Sequence, residues 1–377
     1  MQSLLRQTAT ATSRCRPWRG VPLCPGRMPS LRLSRALWCQ TRTRIPSSAL
    51  PSVVPGRRRN STDAGPQAKK SDRLRILFCG SDDFSCEALE RVYGEKLINE
   101  DLVESIDVLT RTPKSKGRGL TQLSRPVSFG LFIPPRILQQ AKYGGLNVHP
   151  SILPDLAGPA PLQHALLHGD AETGVSLQTL DHRHFDKGVV LARTPAIPIP
   201  SPCTLPTLLA AVTPVAADLL VRGLRDGAHV PPLVPAAGGG GGRPPRHAPK
   251  ITKADQRVTP ANAADLARRF GALGPLWLYS RARKDGRRRR LIVEAVAHAV
   301  RDEDAPATPY RLPYEGGGPD YSYLDVWVPA GNDGPVWIAG CNKVEVVKVE
   351  SDRARPASRA LRDFLVPVGA EKLEGEG

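Results

Sequence analysis

Beyond residue 72 the apolar positions fall into two rhythms. Arg75-Ile76-Leu77-Phe78-Cys79 is a short apolar run that stops at Gly80, as a buried strand does. Phe84, Ala88, Leu89 and Val92 then recur at helical spacing behind Asp82 or Asp83, either of which suits an N-cap. The same reading predicts a strand over 105–110, a short helix over 136–141 and a helix over 161–169 with proline near its start and glycine at its end. It also predicts an alternating strand over 174–180 and an Ala/Leu/Val-rich helix over 207–224 despite Pro214. After 247 the rhythm changes. Short alternating segments at 291–296, 323–328, 336–339 and 344–349, parted by Gly/Pro turns, predict a small antiparallel β-barrel, with a helical segment over 359–364 near its end. The expected organisation is an α/β domain over 73–228, a Gly/Pro-rich linker over 229–247, a barrel domain over 248–368 and a disordered tail over 369–377. The first strand and turn lack Gly-x-Gly-x-x-Gly, so nothing argues for NAD or FAD.

Charge changes this picture at the N-terminus. The chain has 377 residues and a formal charge of +17, which points to a polyanionic partner. Yet twelve arginines, from Arg6 to Arg57, Arg58 and Arg59, precede the first acidic residue, Asp63. An Arg-rich, Ser-rich, acid-free segment without an apolar run long enough to span a bilayer describes a mitochondrial transit peptide. It is expected over 1–60, with processing near Arg58-Arg59-Asn60-Ser61, a linker over 61–72, and a mature chain in the matrix without membrane contact. The competing reading is a basic tail that binds nucleic acid. Cys79, Cys86, Cys203 and Cys341 show no metal spacing and are expected as reduced thiols.

The candidate chemistry centres on Asn147-Val148-His149-Pro150-Ser151-Ile152-Leu153-Pro154. Asn147 and His149 stand two apart, so in an extended segment both project from one face, and the prolines place them where a strand runs into a rigid loop. Alone, an Asn-x-His pair reads as a capped turn. The longer run, followed by Asp155-Leu156-Ala157-Gly158-Pro159-Ala160-Pro161 and by Asp186-Lys187-Gly188, resembles the folate-dependent formyltransferases over about residues 75–368. Within them it is most similar to the branch that acts on methionyl-tRNA. The resemblance implies a Rossmann-like catalytic domain and an OB-like C-terminal barrel. It implies catalytic roles for Asn147, His149 and Asp186, the last chosen over Asp181 because it alone precedes x-Gly. It further implies that Ser151, Ile152, Leu153 and Pro154 line the folate site, with Phe129 and Leu131 within a pterin-facing wall over 129–133. The formyl donor would be 10-formyltetrahydrofolate and the acceptor initiator methionyl-tRNA, with no metal. A monomer is expected. His164 and His168 stand at i, i+4, but lack the glutamate of His-Glu-x-x-His and cysteine partners, and read as surface histidines.

Two cationic stretches fit an RNA backbone. Arg111, Lys114, Lys116 and Arg118 are interleaved with glycine and proline, where the resemblance implies a loop against the acceptor arm. Arg287 and Arg288 belong to a dense cationic hairpin that includes Arg281, Arg283, Lys284, Arg289 and Arg290. Apart from the resemblance the first reads as a solvated loop, and the second reads equally as a solvated turn. Between them the pattern breaks. The chain passes from Gly119 to the apolar segment at Val127 in too few residues for the crossover that a parallel strand pair needs. Relative to the family, one α-β unit of about 30 to 45 residues is missing. Alternative functions are a folate-dependent formyltransferase or hydrolase acting on a small molecule, and an inactive RNA-binding remnant.

Overall fold

The structure is a computed structural model, and it describes residues 69–110, 132–238, 244–299, 301–315, 321–331 and 334–368. All of these lie within one compact unit, residues 63–377. The basic loop and the residues Phe129 and Leu131 fall outside the described residues.

The N-terminal half begins with β1 (Leu74–Cys79), α1 (Asp83–Ile98) and β2 (Val103–Leu109). Asp82 is the N-cap of α1, accepting from the Ser85 N–H at 2.8 Å, which satisfies one of the helix's unpaired amides. β1 and β2 pair in parallel as a two-stranded sheet, with no third strand among the described residues. Then come α2 (Pro135–Gln140), β3 (Leu146–His149), α3 (Pro161–His168), β4 (Glu172–Thr173), β5 (Ser176–Thr179), β6 (Val190–Arg193), β7 (Ile197–Pro198) and α4 (Leu205–Arg225). β3, β5 and β6 form an antiparallel sheet in that order, and β4 pairs with β7. Helix α3 starts on Pro161 and ends on Gly169 in the left-handed region, as its punctuation predicts.

α4 is the hub. Its Leu208, Val212, Ala216 and Leu219 pack with Leu162, Leu166, Val175 and Leu177 beneath the β3–β5–β6 sheet. Its far end, Val221 and Leu224, packs with Leu74, Val92, Leu102 and Val103 of the β1–β2 layer. Although α4 has the length and apolarity of a membrane span, these contacts make it a core helix. Arg225 at its end forks onto the buried Glu95 of α1, at 2.5 and 3.0 Å, and this hydrogen-bonded guanidinium holds the Glu95 carboxyl below its usual range.

The C-terminal part opens with α5 (Leu266–Leu273) and continues through β8 (Leu276–Arg281), β9 (Arg288–His298), β10 (Ala307–Glu315), β11 (Tyr321–Pro329), β12 (Val336–Ile338), β13 (Asn342–Val349), β14 (Arg355–Pro356), α6 (Ala357–Leu361) and β15 (Val366–Pro367). Its antiparallel ladder runs β15-β10-β11-β12-β13-β9-β8. The sheet curls, so that β8 faces β10 across a 2.5 Å bond from Ser280 Oγ to the Pro313 carbonyl. β8 and β10 add to the four strands expected from pattern. Leu276, Leu278, Leu291, Leu312, Val326 and Ile338 fill the interior.

Candidate active site

β3 carries the two polar side chains on one face and turns Leu146 and Val148 toward the α3/α4 core, as period-2 alternation requires. Its antiparallel register sets Asn147 opposite Gln178 and His149 opposite Ser176 of β5. Residues directly opposite in such a ladder project to the same side. Four polar side chains therefore share one face.

Asp186 reaches this face from the turn between β5 and β6. Its Oδ1 lies 3.4 Å from His149 Nδ1 and accepts from Asn147 Nδ2 at 3.3 Å and Gln178 Nε2 at 2.9 Å. Its Oδ2 accepts from the Gly158 amide at 3.0 Å. His149 Nε2 lies 3.1 Å from the Leu156 carbonyl oxygen. Both His149 and Asp186 side chains are largely shielded from water.

The Asp-x-Gly spacing has a local cause. The chain returns so closely along β5 that a Cβ at Gly188 would stand 1.7 Å from the Thr179 carbonyl oxygen, and Thr179 N donates to Val189 O at 2.9 Å. Only glycine permits that approach. Asp186 itself takes φ of 54°, a conformation costly for a non-glycine residue and tolerated here under its four polar contacts. Asp181 is turned elsewhere. Its carboxylate accepts from the Arg183 and His184 amides at 2.8 and 2.7 Å and closes its own turn, and those bonds lower its pKa.

The loop after His149 is tied down at each step. Ser151 Oγ donates to the Asp155 carbonyl at 2.7 Å, Ser176 Oγ donates to the Ser151 carbonyl at 2.7 Å, and Leu153 N donates to Ser176 Oγ at 2.9 Å. Ser151 and Leu153 are buried in this scaffold, whereas Ile152 is half-buried and Pro154 exposed. Phe132, the described aromatic of the expected pterin-facing wall, stacks on Phe185 with centroids 3.7 Å apart, next to Asp186.

Residues 122–224 match a family model described as formyl transferase. This stretch of the chain is similar to the formyl transferase family. The chain is 30% identical over 217 residues to the mitochondrial methionyl-tRNA formyltransferase of Bos taurus, covering 50% of this chain and 54% of that one. The mitochondrial methionyl-tRNA formyltransferase of Saccharomyces cerevisiae is 29% identical over 305 residues, 60% of this chain and 74% of the other. Among solved structures, methionyl-tRNA formyltransferase from Clostridium thermocellum aligns with a TM-score of 0.38 at 12% identity, over 69% of this chain and 100% of that one. The chain spans about half the length of the first curated relatives it matches. Its formyl transferase domain is of mixed α/β content and is followed by the antiparallel sheet domain.

Two residues that the sequence pattern alone does not single out join this domain's site. Gln178 is visible only once the β3/β5 register is known. Arg246, in the segment read as a linker, grips Asp155 through Nη2 at 2.6 Å and Nε at 3.2 Å and holds Asp170 at 2.9 Å, so its own pKa is raised. The same segment is hydrogen-bonded to the site loop, Ala248 N to the Ala157 carbonyl at 2.8 Å, and a Cβ at Gly158 would meet the Ala248 oxygen at 2.4 Å.

Of the sequence-predicted cations, Arg288 is already engaged. It forks onto Glu315 at 2.7 and 2.8 Å and lies 3.5 Å from the centre of the Tyr279 ring. Arg289 meets Asp285 at 2.7 Å, while the Arg287 guanidinium is exposed and 3.9 Å from that carboxylate, which accepts from the Arg287 backbone amide at 3.0 Å. His164 lies 3.0 Å from the Pro249 carbonyl and His168 Nδ1 3.1 Å from Arg246. The four cysteines at 79, 86, 203 and 341 are free thiols. Burial raises the pKa of Cys79 and Cys203.

Proposed function

We propose that this chain transfers the formyl group of 10-formyltetrahydrofolate to the α-amine of methionine esterified to initiator tRNA, in the mitochondrial matrix. The observation that carries this reading is the meeting of Asn147, His149 and Asp186 from strand and turn segments 39 residues apart in sequence. The family match and the names of the relatives support the reaction and the compartment.

In this reading the amine nitrogen attacks the formyl carbon and the carbonyl oxygen becomes a tetrahedral oxyanion. Asn147 donates its second amide N–H to that oxygen without bringing charge into the site. His149, with its ring proton on Nδ1 toward Asp186, leaves the Leu156 carbonyl and takes on Nε2 the proton that the amine gives up. Asp186, beside Nδ1, fixes the ring's orientation and stabilises the cation so formed. The bond from carbon to N10 of the folate then breaks, N10 takes a proton, and formyl-methionyl-tRNA and tetrahydrofolate leave. Ile152 and Pro154 offer the folate the surface that Ser151 and Leu153 do not. Arg111, Lys114, Lys116, Arg118 and Arg287 neutralise RNA phosphates, the curled C-terminal sheet acts as an OB-like barrel for tRNA, and residues 1–60 are the transit peptide.

We further propose that one α-β unit present in relatives is missing after Gly119. Strands of parallel sheets are ordinarily covered on both faces. Here Leu77 is 48%, Val108 50% and Leu109 44% exposed. Sequencing the transcript across the codons for Leu120 to Val127 tests this: an inserted stretch encoding a helix and a strand supports it, and a matching transcript with a soluble product that formylates Met-tRNA overturns the claim that the fold requires the unit.

The function is tested by incubating the purified mature chain with 10-formyltetrahydrofolate and Met-tRNA and scoring formyl-methionine by mass. Replacing Lys114, Lys116 and Arg118 by alanine is expected to weaken Met-tRNA binding and flatten its salt dependence, because fewer counterions are released. No formyl-methionine from a folded chain would sink the proposal.

A further inference from the structure

Gln178 is 1% exposed, yet its side chain ends in an amide with both a donor and an acceptor. Its Nε2 makes the shortest of the three side-chain contacts on Asp186 Oδ1, at 2.9 Å, against 3.3 Å for Asn147 and 3.4 Å for His149. Its Oε1 is buried without a hydrogen-bond partner among the described residues. Turning the amide over would set Oε1 against the carboxylate, so the observed orientation is the one chemistry allows. A leucine of similar size would leave nothing unsatisfied here, and burying an unpaired amide oxygen is costly. What the glutamine provides in return is one neutral donor to the carboxylate.

Asp186 needs that donor. It sits at a turn with φ of 54°, and its carboxylate is shared among groups from three segments: Asn147 and His149 of β3, Gln178 of β5, and the Gly158 amide of the following loop. Asn147 has a second task in the proposed reaction, and without Gln178 the Oδ1 oxygen would keep only the two longer contacts, to Asn147 at 3.3 Å and His149 at 3.4 Å. The Gly158 amide fixes Oδ2, and Gln178 fixes Oδ1 at the side facing the imidazole. We infer that Gln178 is a positioning residue: its Nε2–H locks Asp186 so that one carboxylate oxygen faces His149 Nδ1 while Asn147 remains available to the formyl oxygen. This inference rests on the formyl-transfer reading of the site.

The charged or titratable neighbours that face this carboxylate are few. They are His149 from β3 and, in a Gln178→Glu variant, the new carboxyl from β5; Asn147 and the Gly158 amide are neutral. Gln178→Glu keeps the shape and makes the donor conditional on pH. While the introduced carboxyl holds its proton, its O–H replaces the Nε2–H; once it ionises, two adjacent carboxylates repel and Asp186 is pushed away. Gln178→Met keeps the volume and removes the donor at every pH.

The experiment measures single-turnover formylation of Met-tRNA by the full mature chain, and thermal melting, both across about pH 5 to 9, for wild type and the two variants. Gln178→Met is expected to lower turnover by about ten- to a hundredfold, the scale of losing a group that supports an acid-base partner, with the KM for the formyl donor within about threefold of wild type. Gln178→Glu is expected to approach wild-type turnover at the acid end and to acquire a descending alkaline limb that wild type lacks. Its melting temperature relative to wild type should fall as pH rises, since a carboxyl whose folded pKa is raised destabilises the fold once pH exceeds its unfolded value. A Gln178→Glu profile parallel to wild type in an active enzyme overturns the inference, as does a Gln178→Met turnover within about threefold of wild type. If wild type does not formylate Met-tRNA while the melting signature appears, the reaction is misassigned but the Gln178–Asp186 contact stands. If Gln178→Glu fails to fold at any pH, Gln178→Met and Gln178→Asn decide: both must lose turnover at unchanged donor KM, because the amide shortened by one methylene no longer reaches the carboxylate.

Discussion

The β3–β5–β6 sheet and the β1–β2 sheet both rest on α4, but they are finished differently. In the first, Val175 and Leu177 are sealed beneath α4 while the opposite face is filled by Asn147, His149, Gln178 and Asp186, each bonded to another. In the second, Leu74 and Val103 are buried on α4 and α1, yet the carboxyl ends of both strands leave large apolar side chains in water. A polar face can stand without a further layer because its groups satisfy one another. An apolar face cannot, since each half-exposed side chain forgoes part of the roughly 1.5 to 3 kcal/mol that full burial gives. The site is thus placed on the sheet that is complete.

The sharpest way to break the contrast is through the polar face. Asn147→Ala, His149→Ala and Asp186→Ala should each lower turnover by at least about a hundredfold, the usual scale for losing an oxyanion donor or acid-base group, with donor binding changed less. Single-turnover assays decide it for each residue separately. Near-normal turnover in one variant would remove that residue from the machinery while leaving the others.

Stability should divide along the same line. Leu177 is fully buried and touches the core beneath the site, so Leu177→Ala should cost about 2 to 5 kcal/mol. Leu77, on the open sheet, should cost no more than about 0.5 kcal/mol on the same change and should leave the protein more soluble. Urea titrations of the two variants read both numbers. Equal costs would mean that β1 is covered in solution.

How much of this was readable in advance follows from how local each signal is. Asn147 and His149 are two apart on one strand, and a period of two needs no partner to be recognised. Asp186 could be preferred over Asp181 because Gly188, needed for the close return past Thr179, leaves its mark in the chain. Gln178 required the register between β3 and β5, strands that a loop and a helix separate in the chain, and no local pattern contains it. β10 escaped because Pro309 and Pro313 argue against an interior strand; they are tolerated where its outer neighbour β15 covers only Tyr310 and Arg311. The cationic hairpin was legible as charge, but not that Glu315 from β10 and Glu350 beyond β13 would meet Arg288 and Arg290. Arg246 left no signal at all, since its partners Asp155 and Asp170 are 91 and 76 residues away.

The smallest effect expected lies at the seam between the two sheets. His229 is buried, its ring meets Tyr143 edge-on with centroids 5.0 Å apart, and neither ring nitrogen has a hydrogen-bond partner among the described residues. Tyr143 packs in the same cluster as Leu74 and Val103, and its hydroxyl accepts from the Asp72 amide at 3.1 Å just ahead of β1. Burial lowers the His229 pKa, offset only in part by the nearby Gly223 carbonyl. A histidine whose folded pKa is depressed leaves stability intact above its unfolded value, near 6.5, and takes stability away as pH falls below it, until the folded pKa is passed. The chain should therefore melt lower as pH drops from about 7 to 5, and His229→Phe, which keeps the edge-on contact with Tyr143, should lose less over that interval. Only one proton is involved, so the gap between the two curves should stay well below the cost of Leu177→Ala. Parallel melting curves for the two proteins would place the acid sensitivity elsewhere.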